Sequence, residues 1–237
     1  MSISNQKDNK MIYAVLTGDI IQSSSLDLPR REYLYNALQE LSILLQKVYP
    51  VYIVQEMAKY RGDGWQLLIN APQKAFEISL FIRTYLRFTL KPEQLDSRIA
   101  IAIGKVDFIP DENISEGFGR AYTDSGKLLY DLTSHRLGFV LAGLGDVRTN
   151  QLIAGLIHVY DKLITSWTPA QCQAVHLSLQ YTTQKEIGEH WQPKSVTQVA
   201  IAHHLKAANW NVVKEGLQLF EEVILSMCLE NGGETGT

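Results

Sequence analysis

Long apolar runs are missing from this sequence. No stretch approaches the roughly 18–20 consecutive apolar residues that a membrane-spanning helix needs, and residues 1–10 are polar, without the apolar core of a signal peptide. Cysteine is also scarce, since only Cys172 and Cys228 occur in 237 residues, both within predicted helices. Such a pair favours reduced thiols over a disulfide framework. We therefore expect a cytoplasmic protein without a membrane partner.

An excess of positive charge is missing as well. The formal net charge is −3 at pH 7, which argues against a protein whose whole surface is basic for binding nucleic acid. With 46% hydrophobic and 20% charged residues, the composition is that of a globular protein with an ample core. The length of 237 residues fits one large or two medium-sized domains.

The first 145 residues alternate between strand-like and helical patterns. A run of apolar β-formers predicts a buried strand at residues 12–17, and leucines at helical spacing predict a helix over residues 28–48. The later patterns predict strands at 51–57 and 65–69 joined by a hairpin, a helix at 73–90, a strand at 98–103, a helix at 118–131 and a strand at 138–142. The order β-α-β-β-α-β is that of ferredoxin-like sheets. The expected fold class is therefore α+β.

The chain after Gly145 is helical in pattern. Helices are predicted at 146–166, 169–178, 183–189, 194–208 and 212–228, with no convincing strand among them. The sequence therefore predicts four segments, which are a disordered N-terminus at 1–10, a ferredoxin-like domain at 11–145, a helical domain at 146–229 and a disordered tail at 230–237.

Residues 182–210 predict two short helices joined by a tight turn, the outline of a helix-turn-helix. Thr183 can cap the first helix, and Glu186 stands three residues later, at the spacing of a capping box. Gly188 is small enough for another helix to approach. Pro193 ends the turn, because proline disfavours helix in the residue before it and suits the start of a new helix.

The second of these helices, at residues 194–208, is predicted to bury one stripe and to expose another. The buried positions recur at three-residue steps: Val196, Val199, Ala202 and Leu205. The opposite side offers hydrogen-bonding side chains that suit base edges and phosphates: Lys194, Ser195, Thr197, Gln198, His203 and Lys206. Residues 190–214 hold three lysines, three histidines and no acid. The predicted partner is DNA, and the alternative is a helical bundle used for dimerisation or protein docking.

Two acidic turns stand in the N-terminal half, at Gly18-Asp19 and at Arg61-Gly62-Asp63-Gly64. In a β-α-β-β-α-β sheet the first strand neighbours the hairpin, so the two carboxylates are expected at one edge, where they suit Mg²⁺. Gly18 and Gly62 would let the backbone approach a phosphate that Arg61 neutralises. The alternative is that both are ordinary turns without a function.

These motifs together resemble a known family. Residues 13–23 (YAVLTGDIIQS), 60–66 (YRGDGWQ) and 98–104 (RIAIAIG) look like those of the SatD family of small bacterial proteins. The trailing helix-turn-helix fits the longer members of that family, and residues 184–207 are also similar to the DNA-reading helix-turn-helix of bacterial sigma factors. The resemblance implies an architecture more than an activity.

More distantly, the N-terminal half is similar to class III nucleotidyl cyclases and related palm domains. Those proteins hold two metal ions with one aspartate after the first strand and one in the central hairpin, and the matching residues are Asp19 and Asp63. Their asparagine and arginine on a later helix, which steady the triphosphate and ribose, correspond here to Thr123 and Lys127. The resemblance implies a nucleotide contact at Lys127, although a lysine lacks the two-pronged geometry of a guanidinium.

The sequence therefore predicts a homodimeric DNA-binding transcriptional regulator. Its N-terminal domain is expected to sense a nucleotide, with Mg²⁺ as the possible cofactor, or to pair subunits, and no residue is assigned a catalytic role. The alternative is a metal-dependent nucleotide-binding enzyme of the nucleotidyl cyclase type whose helical end is a docking module. The missing polar partners favour the regulator, whereas the intact pair Asp19 and Asp63 keeps the enzyme open.

Overall fold

Five strands form one mixed sheet in the part of the chain that the computed structural model describes, residues 11–60, 62–91 and 95–232. The strands are β1 (Ile12–Ile20), β2 (Ala58–Tyr60), β3 (Gly64–Ile69), β4 (Ser97–Lys105) and β5 (Leu137–Ala142). Their order across the sheet is β2-β3-β1-β4-β5, with β1 antiparallel to both of its neighbours and β5 parallel to β4. The central strand β1 is therefore covered on both faces, which matches its nearly continuous apolar sequence.

Within the described residues, the α-helices divide into three that precede β5 and five that come after it. They are α1 (Leu28–Val48), α2 (Ala75–Thr89), α3 (Arg120–Asp131), α4 (Val147–Thr165), α5 (Pro169–Ser178), α6 (Gln184–Glu189), α7 (Gln198–Ala207) and α8 (Trp210–Gly232). Side-chain caps mark several of their starts, because the first backbone N–H groups of a helix lack partners within it. Asp27 accepts from the N–H of Arg30 at the start of α1, and Asp146 accepts from the N–H groups of Arg148 and Thr149 at the start of α4.

The two faces of the sheet are covered by different helices. Alternate β1 residues such as Leu16 belong to the large core that also contains Leu41 of α1 and Ile78 of α2. Their neighbours such as Val15 belong to a smaller cluster with Ala121 of α3. This alternation follows from the period of two along a strand, and it places Asp19 on the α3 face.

The helices after β5 complete the large core. The core cluster that contains Leu16 of β1 also contains Val175 of α5 and Phe220 of α8. Phe220 packs edge to face on Phe76 of α2, with ring centroids 5.6 Å apart. The predicted boundary at residues 145 and 146 therefore does not separate two hydrophobic cores.

Most of the predicted sheet is present, and the β-α-β-β-α-β order is confirmed. The predicted strand at residues 51–57 is wrong, because a turn follows α1 there, in which the carbonyl oxygen of Tyr49 accepts from the N–H groups of Tyr52 and Ile53. β2 instead lies at Ala58–Tyr60, within the segment predicted to be the hairpin loop.

The two helices of the predicted helix-turn-helix are present as α6 and α7, with the capping box of Thr183 and Glu186 confirmed. The second begins at Gln198, capped by Thr197, and not at residue 194. Its predicted buried stripe is wrong at Val199, which is 78% exposed, since Ile201 is the fully buried position. The close approach at Gly188 is made by the backbone carbonyl of Val196 and not by a helix, because a Cβ there would lie 2.5 Å from that oxygen.

The predicted disordered ends fall largely outside the described residues. Residues 1–10 and 233–237 are not described, and neither is Arg61. The tail predicted to start at residue 230 is corrected in part, because α8 continues to Gly232. No described helix is both long enough and apolar enough to span a bilayer.

Candidate functional site: an acidic pair and an arginine at the end of β1

Asp19 lies opposite Arg98 in the register that pairs β1 with β4. The Nε of Arg98 donates to Oδ1 of Asp19 at 3.0 Å, and Nη2 donates to Oδ2, so the guanidinium holds both carboxylate oxygens. Both side chains are about three-quarters buried. The hydrogen bonds to Asp19 raise the pKa of Arg98 despite its partial burial. This bidentate pair is therefore a fixed feature of the strand end.

Asp63 lies in the turn between β2 and β3 and reaches back to the residues that end β1. Its Oδ2 accepts from the backbone N–H of Ile20 at 3.2 Å and from the hydroxyl of Ser23. Its negative charge also raises the pKa of Arg98, although less than Asp19 does. Asp19, Arg98 and Asp63, which we call the β1-end cluster, therefore lie together at one end of the sheet.

The two glycines beside the acidic residues have different roles, and only Gly62 lies in a turn, since Gly18 is part of β1. Gly62 adopts φ +84°, which favours glycine, and a Cβ there would meet no atom within 4 Å. Gly18, in contrast, is covered, since a Cβ would lie 2.3 Å from a ring carbon of Trp65 and 2.8 Å from the carbonyl oxygen of Arg98. The indole ring therefore fills the space on the Cβ side of Gly18, and the contact of Gly18 with a phosphate stays a prediction. Arg61 of the same prediction lies outside the described residues.

Lys127 lies on the exposed side of α3. The residues by which α3 packs on the sheet are Ala121, Tyr122 and Ser125. Within the described chain, no hydrogen bond or ion pair joins Lys127 to the β1-end cluster. Its contact with a nucleotide stays a prediction.

A buried row of hydrogen-bonding side chains continues from the β1-end cluster under α3. Thr17 precedes Asp19 by two residues and shares its face, and its Oγ1 lies 2.8 Å from Oγ of Ser125. Gln66 of β3, which is opposite Thr17, donates from Nε2 to the same hydroxyl at 3.0 Å. The Oε1 of Gln66 is buried without a hydrogen-bond partner among the described residues. The row of polar side chains therefore extends from the carboxylates into the interior under α3.

The β1-end cluster has the chemistry to hold a divalent cation only in part. Carboxylate oxygens are the ligands that Mg²⁺ prefers, and the charges of Asp19 and Asp63 both act on Arg98 here. No group of three acidic, histidine or cysteine side chains that could hold a metal ion occurs in the described part of the chain. Because Arg98 occupies both oxygens of Asp19, a bound cation would compete with the guanidinium. The donor set fits an ion whose coordination is completed by water and phosphate oxygens.

Arg98 is the site residue that sequence analysis missed. It opens the strand predicted at residues 98–103, and β1 and β4 are antiparallel neighbours in the expected ferredoxin-like order. An arginine at the start of one strand beside an aspartate at the end of the other is the signal that could have found it. The register that makes them direct partners, Asp19 with Arg98, comes from the structure.

The six residues predicted to bind DNA are placed around α7. All six are exposed: Lys194, Ser195, Thr197, Gln198, His203 and Lys206. Lys194 and Ser195 lie in the turn before α7 and not on the helix, which corrects their predicted position. The hydroxyl of Thr197 is engaged, because it accepts from the N–H of Ala200 as the cap of α7. Lys206 lines a cavity formed by α6, α7, α8 and the turn before α6.

Comparisons with known proteins give structures but no relatives by sequence. No protein-family model and no curated protein matches the chain. The guanylyl cyclase Cya2 is 14% identical, with a TM-score of 0.43 over 54% of this chain and 74% of its own. The adenylyl cyclase CyaB from P. aeruginosa is 16% identical, with a TM-score of 0.45 over 61% of this chain and 81% of its own. The guanylate cyclase domain of RhGC from Catenaria anguillulae, in complex with GTP, is 16% identical, with a TM-score of 0.44 over 55% of this chain and 79% of its own.

Proposed function

We propose that this protein binds a nucleoside triphosphate together with Mg²⁺ at the β1-end cluster. The observation that carries the proposal is the convergence of Asp63 on the end of β1, where its carboxylate is fixed to the N–H of Ile20 beside Asp19. Asp19 lies within β1 and Asp63 in the turn before β3, and both negative charges act on the one guanidinium of Arg98. A cation shared with phosphate oxygens would compensate the second carboxylate.

Each residue of the cluster has a distinct part in this proposal. Asp19 and Asp63 would hold the cation, which would neutralise the charge of the phosphates. Arg98 balances Asp19 before the cation arrives, and its Nη1 also donates to the carbonyl oxygen of Leu132 at 2.9 Å. That second partner keeps the guanidinium anchored near the site when its bonds to Asp19 are lost.

The experiment is a thermal unfolding series with ATP or GTP, with and without Mg²⁺. Ligand at about 100 times its Kd should raise the melting temperature by several degrees, because binding to the folded state alone stabilises it. Asp63→Asn should abolish the Mg²⁺-dependent part of this shift. Asp131→Asn, an exposed carboxylate on the last residue of α3, is the matched control and should leave the shift unchanged. A shift that persists in Asp63→Asn would contradict the proposal.

Whether the protein converts the bound nucleotide into a product is a separate question, and it has its own measurement. A nucleotidyl cyclase converts a nucleoside triphosphate into a 3′,5′-cyclic nucleotide and pyrophosphate. Thr123 and Lys127 stand where the cyclases that the sequence resembles carry asparagine and arginine. Because phosphoryl chemistry depends on positioning and charge neutralisation, we expect binding with little or no cyclic product. Quantifying cyclic nucleotide and pyrophosphate in the same samples separates a sensor from an enzyme.

DNA binding by the helical end is a second candidate function. The observation that favours it is the exposure of all six predicted contact residues around α7, on a unit whose own small core includes Ile187 and Ile201. Lys194→Ala should weaken retardation of duplex DNA and lower the salt slope by roughly one. Lys47→Ala removes the same positive charge on α1, which is far from α7 in sequence, and is the control. Equal retardation by wild type and Lys194→Ala would argue against this interface.

A further inference from the structure

A cavity of about 850 Å³ opens among the helices that follow the sheet. Its walls are the end of α5, the turn that follows, α6, the second half of α7 and the start of α8. Volumes of roughly 300–1,000 Å³ are usual for sites that bind small molecules. The cavity shares no residue with the β1-end cluster, so it is independent of the nucleotide site proposed above.

The inner part of this cavity is apolar. Ile187 and Leu205 line it from the small core that α6 and α7 share, and Trp210 lines it from the start of α8. Tyr181 adds a second aromatic ring to the lining. An apolar floor of this kind, with two aromatic residues, suits a flat ring of the ligand.

The charge of the lining has one sign. Lys206 of α7 and Lys214 of α8 both line the cavity, and its lining residues include no aspartate or glutamate. This is a local exception in a chain whose formal net charge is −3. Two ammonium groups that line one concave surface repel each other. An anion bound between them attracts both groups and offsets this repulsion. Gln184, Asn209 and Asn211 add amide groups that can donate hydrogen bonds.

We propose that this cavity is a binding site for a small organic anion that combines an aromatic ring with a phosphate or carboxylate group. The ring lies on Trp210 and Leu205, and the anionic group is held by Lys206 and Lys214. The concave shape favours a small molecule over a DNA duplex, because a helix that reads a duplex has to protrude into the groove. Lys206, predicted from the sequence to contact DNA, therefore contributes to a ligand site.

The test uses three probes that separate the ring from the charge. Phenyl phosphate carries both, inorganic phosphate carries only the charge, and phenol carries only the ring. Titration calorimetry is done without divalent cations, so that the metal-dependent site does not contribute. We expect phenyl phosphate to bind with a Kd of about 0.1–1 mM, a range usual for a ligand of this size, and at least tenfold more tightly than either partial probe. Equal affinities for phenyl phosphate and inorganic phosphate would overturn the proposal.

Variants then place the binding in this cavity. Replacing both lysines (Lys206→Gln with Lys214→Gln) should weaken phenyl phosphate binding at least tenfold, and because both are exposed the fold should persist. Ala202→Phe, which fills the cavity without changing its charge, should also remove binding. Lys185→Gln, an exposed lysine of α6 outside the lining, is the control and should bind like wild type. Unchanged affinity in the double lysine variant would overturn the proposal, whatever the outcome of Ala202→Phe.

Discussion

Arg98 and Asp19 form a bidentate ion pair across the two antiparallel strands β4 and β1. The guanidinium contacts both carboxylate oxygens, and its charge is also stabilised by Asp63 of the neighbouring hairpin. One guanidinium therefore faces two carboxylates before any ligand is present. Replacing Arg98 therefore tests whether the cluster stabilises the fold or binds a cation.

Arg98→Gln is the first prediction. The glutamine removes the positive charge that competes for Asp19, so the Kd for Mg²⁺ in the presence of nucleotide should fall by about tenfold, the effect usual for one neighbouring charge. The free energy of unfolding without ligand should fall by about 1 kcal/mol or less, because both partners are partly exposed. Calorimetric titration with Mg²⁺ and nucleotide, together with urea unfolding, measures the two effects.

Arg120→Gln provides the control for Arg98→Gln. Arg120 is on α3 and pairs with Asp124 on the same helix, so its loss changes the total charge equally without touching the β1-end cluster. Its Kd for Mg²⁺ should stay at the wild-type value. A weaker Mg²⁺ affinity in Arg98→Gln than in wild type would show that the arginine supports the cation instead of competing with it.

Gly18→Ala is the second prediction, and it decides between a packing role and a phosphate-binding role. The new methyl group would overlap the ring of Trp65, which is fully buried. We expect a loss of roughly 1–3 kcal/mol or more in the free energy of unfolding, as for other overpacked cores. Unchanged stability with weaker nucleotide binding would instead restore the phosphate-binding interpretation.

Gly155→Ala is the matched comparison for Gly18→Ala. Gly155 lies within α4, and a Cβ there would meet no heavy atom within 4 Å. Alanine should stabilise the protein by roughly 0.5–1 kcal/mol, because glycine loses more backbone entropy in a helix. The two glycine-to-alanine changes should therefore move the urea midpoint in opposite directions.

Arg83→Met is the third prediction. Arg83 is fully buried, donates twice to Asp96 at 2.9 and 2.7 Å, and donates to Asp161 at 2.7 Å. Removing the arginine leaves Asp161, which is 3% exposed, without its main counter-charge. We expect a loss of roughly 3–5 kcal/mol in the free energy of unfolding, the range for breaking a buried ion pair.

Lys162→Met is the control for Arg83→Met. Lys162 is an exposed cation on α4, beside Asp161 in sequence, so its replacement removes a charge without breaking the buried pairs. The change in the free energy of unfolding should stay within about 0.5 kcal/mol. If Arg83→Met cost no more than this control, the buried network would contribute nothing net to stability.

The sequence predicted elements whose pattern is local. α1 was predicted from its leucine spacing with the observed bounds, and the strands later found as β1 and β4 from apolar runs. β2 was misplaced because Ala58–Tyr60 is a strand only through its pairing with β3, and a three-residue strand carries no period of its own.

Local sequence patterns could predict neither which side of α7 is buried nor that Arg98 belongs to the site. α7 is mostly alanine, valine and isoleucine near its start, so several stripes are nearly equally apolar, and packing against α5 and α6 selects Ile201 over Val199. The pairing of Arg98 with Asp19 depends on the register between two strands far apart in sequence. A slip of one residue would place them on opposite faces.

The last prediction concerns His176, which α5 buries against the aromatic side chains of α2. Its Nδ1 lies 3.2 Å from the carbonyl oxygen of Phe81, and the two rings are 4.1 Å apart between centroids. Burial lowers the pKa of His176 to about 3, so the imidazole is neutral in the folded protein across the ordinary pH range. In the unfolded chain the same group takes up a proton near pH 6.5.

Between these two pKa values the unfolded chain binds the extra proton, so acid favours unfolding. The contribution of His176 to stability is complete above pH 6.5 and falls by up to about 1.4 kcal/mol for each pH unit below it. Urea unfolding at pH 7 and pH 5 should therefore show that wild type loses about 2 kcal/mol more than His176→Gln, which has no group to protonate. Equal pH dependence in wild type and His176→Gln would mean that the buried imidazole is charged in the folded state, where Phe81 and its neighbours offer no counter-charge.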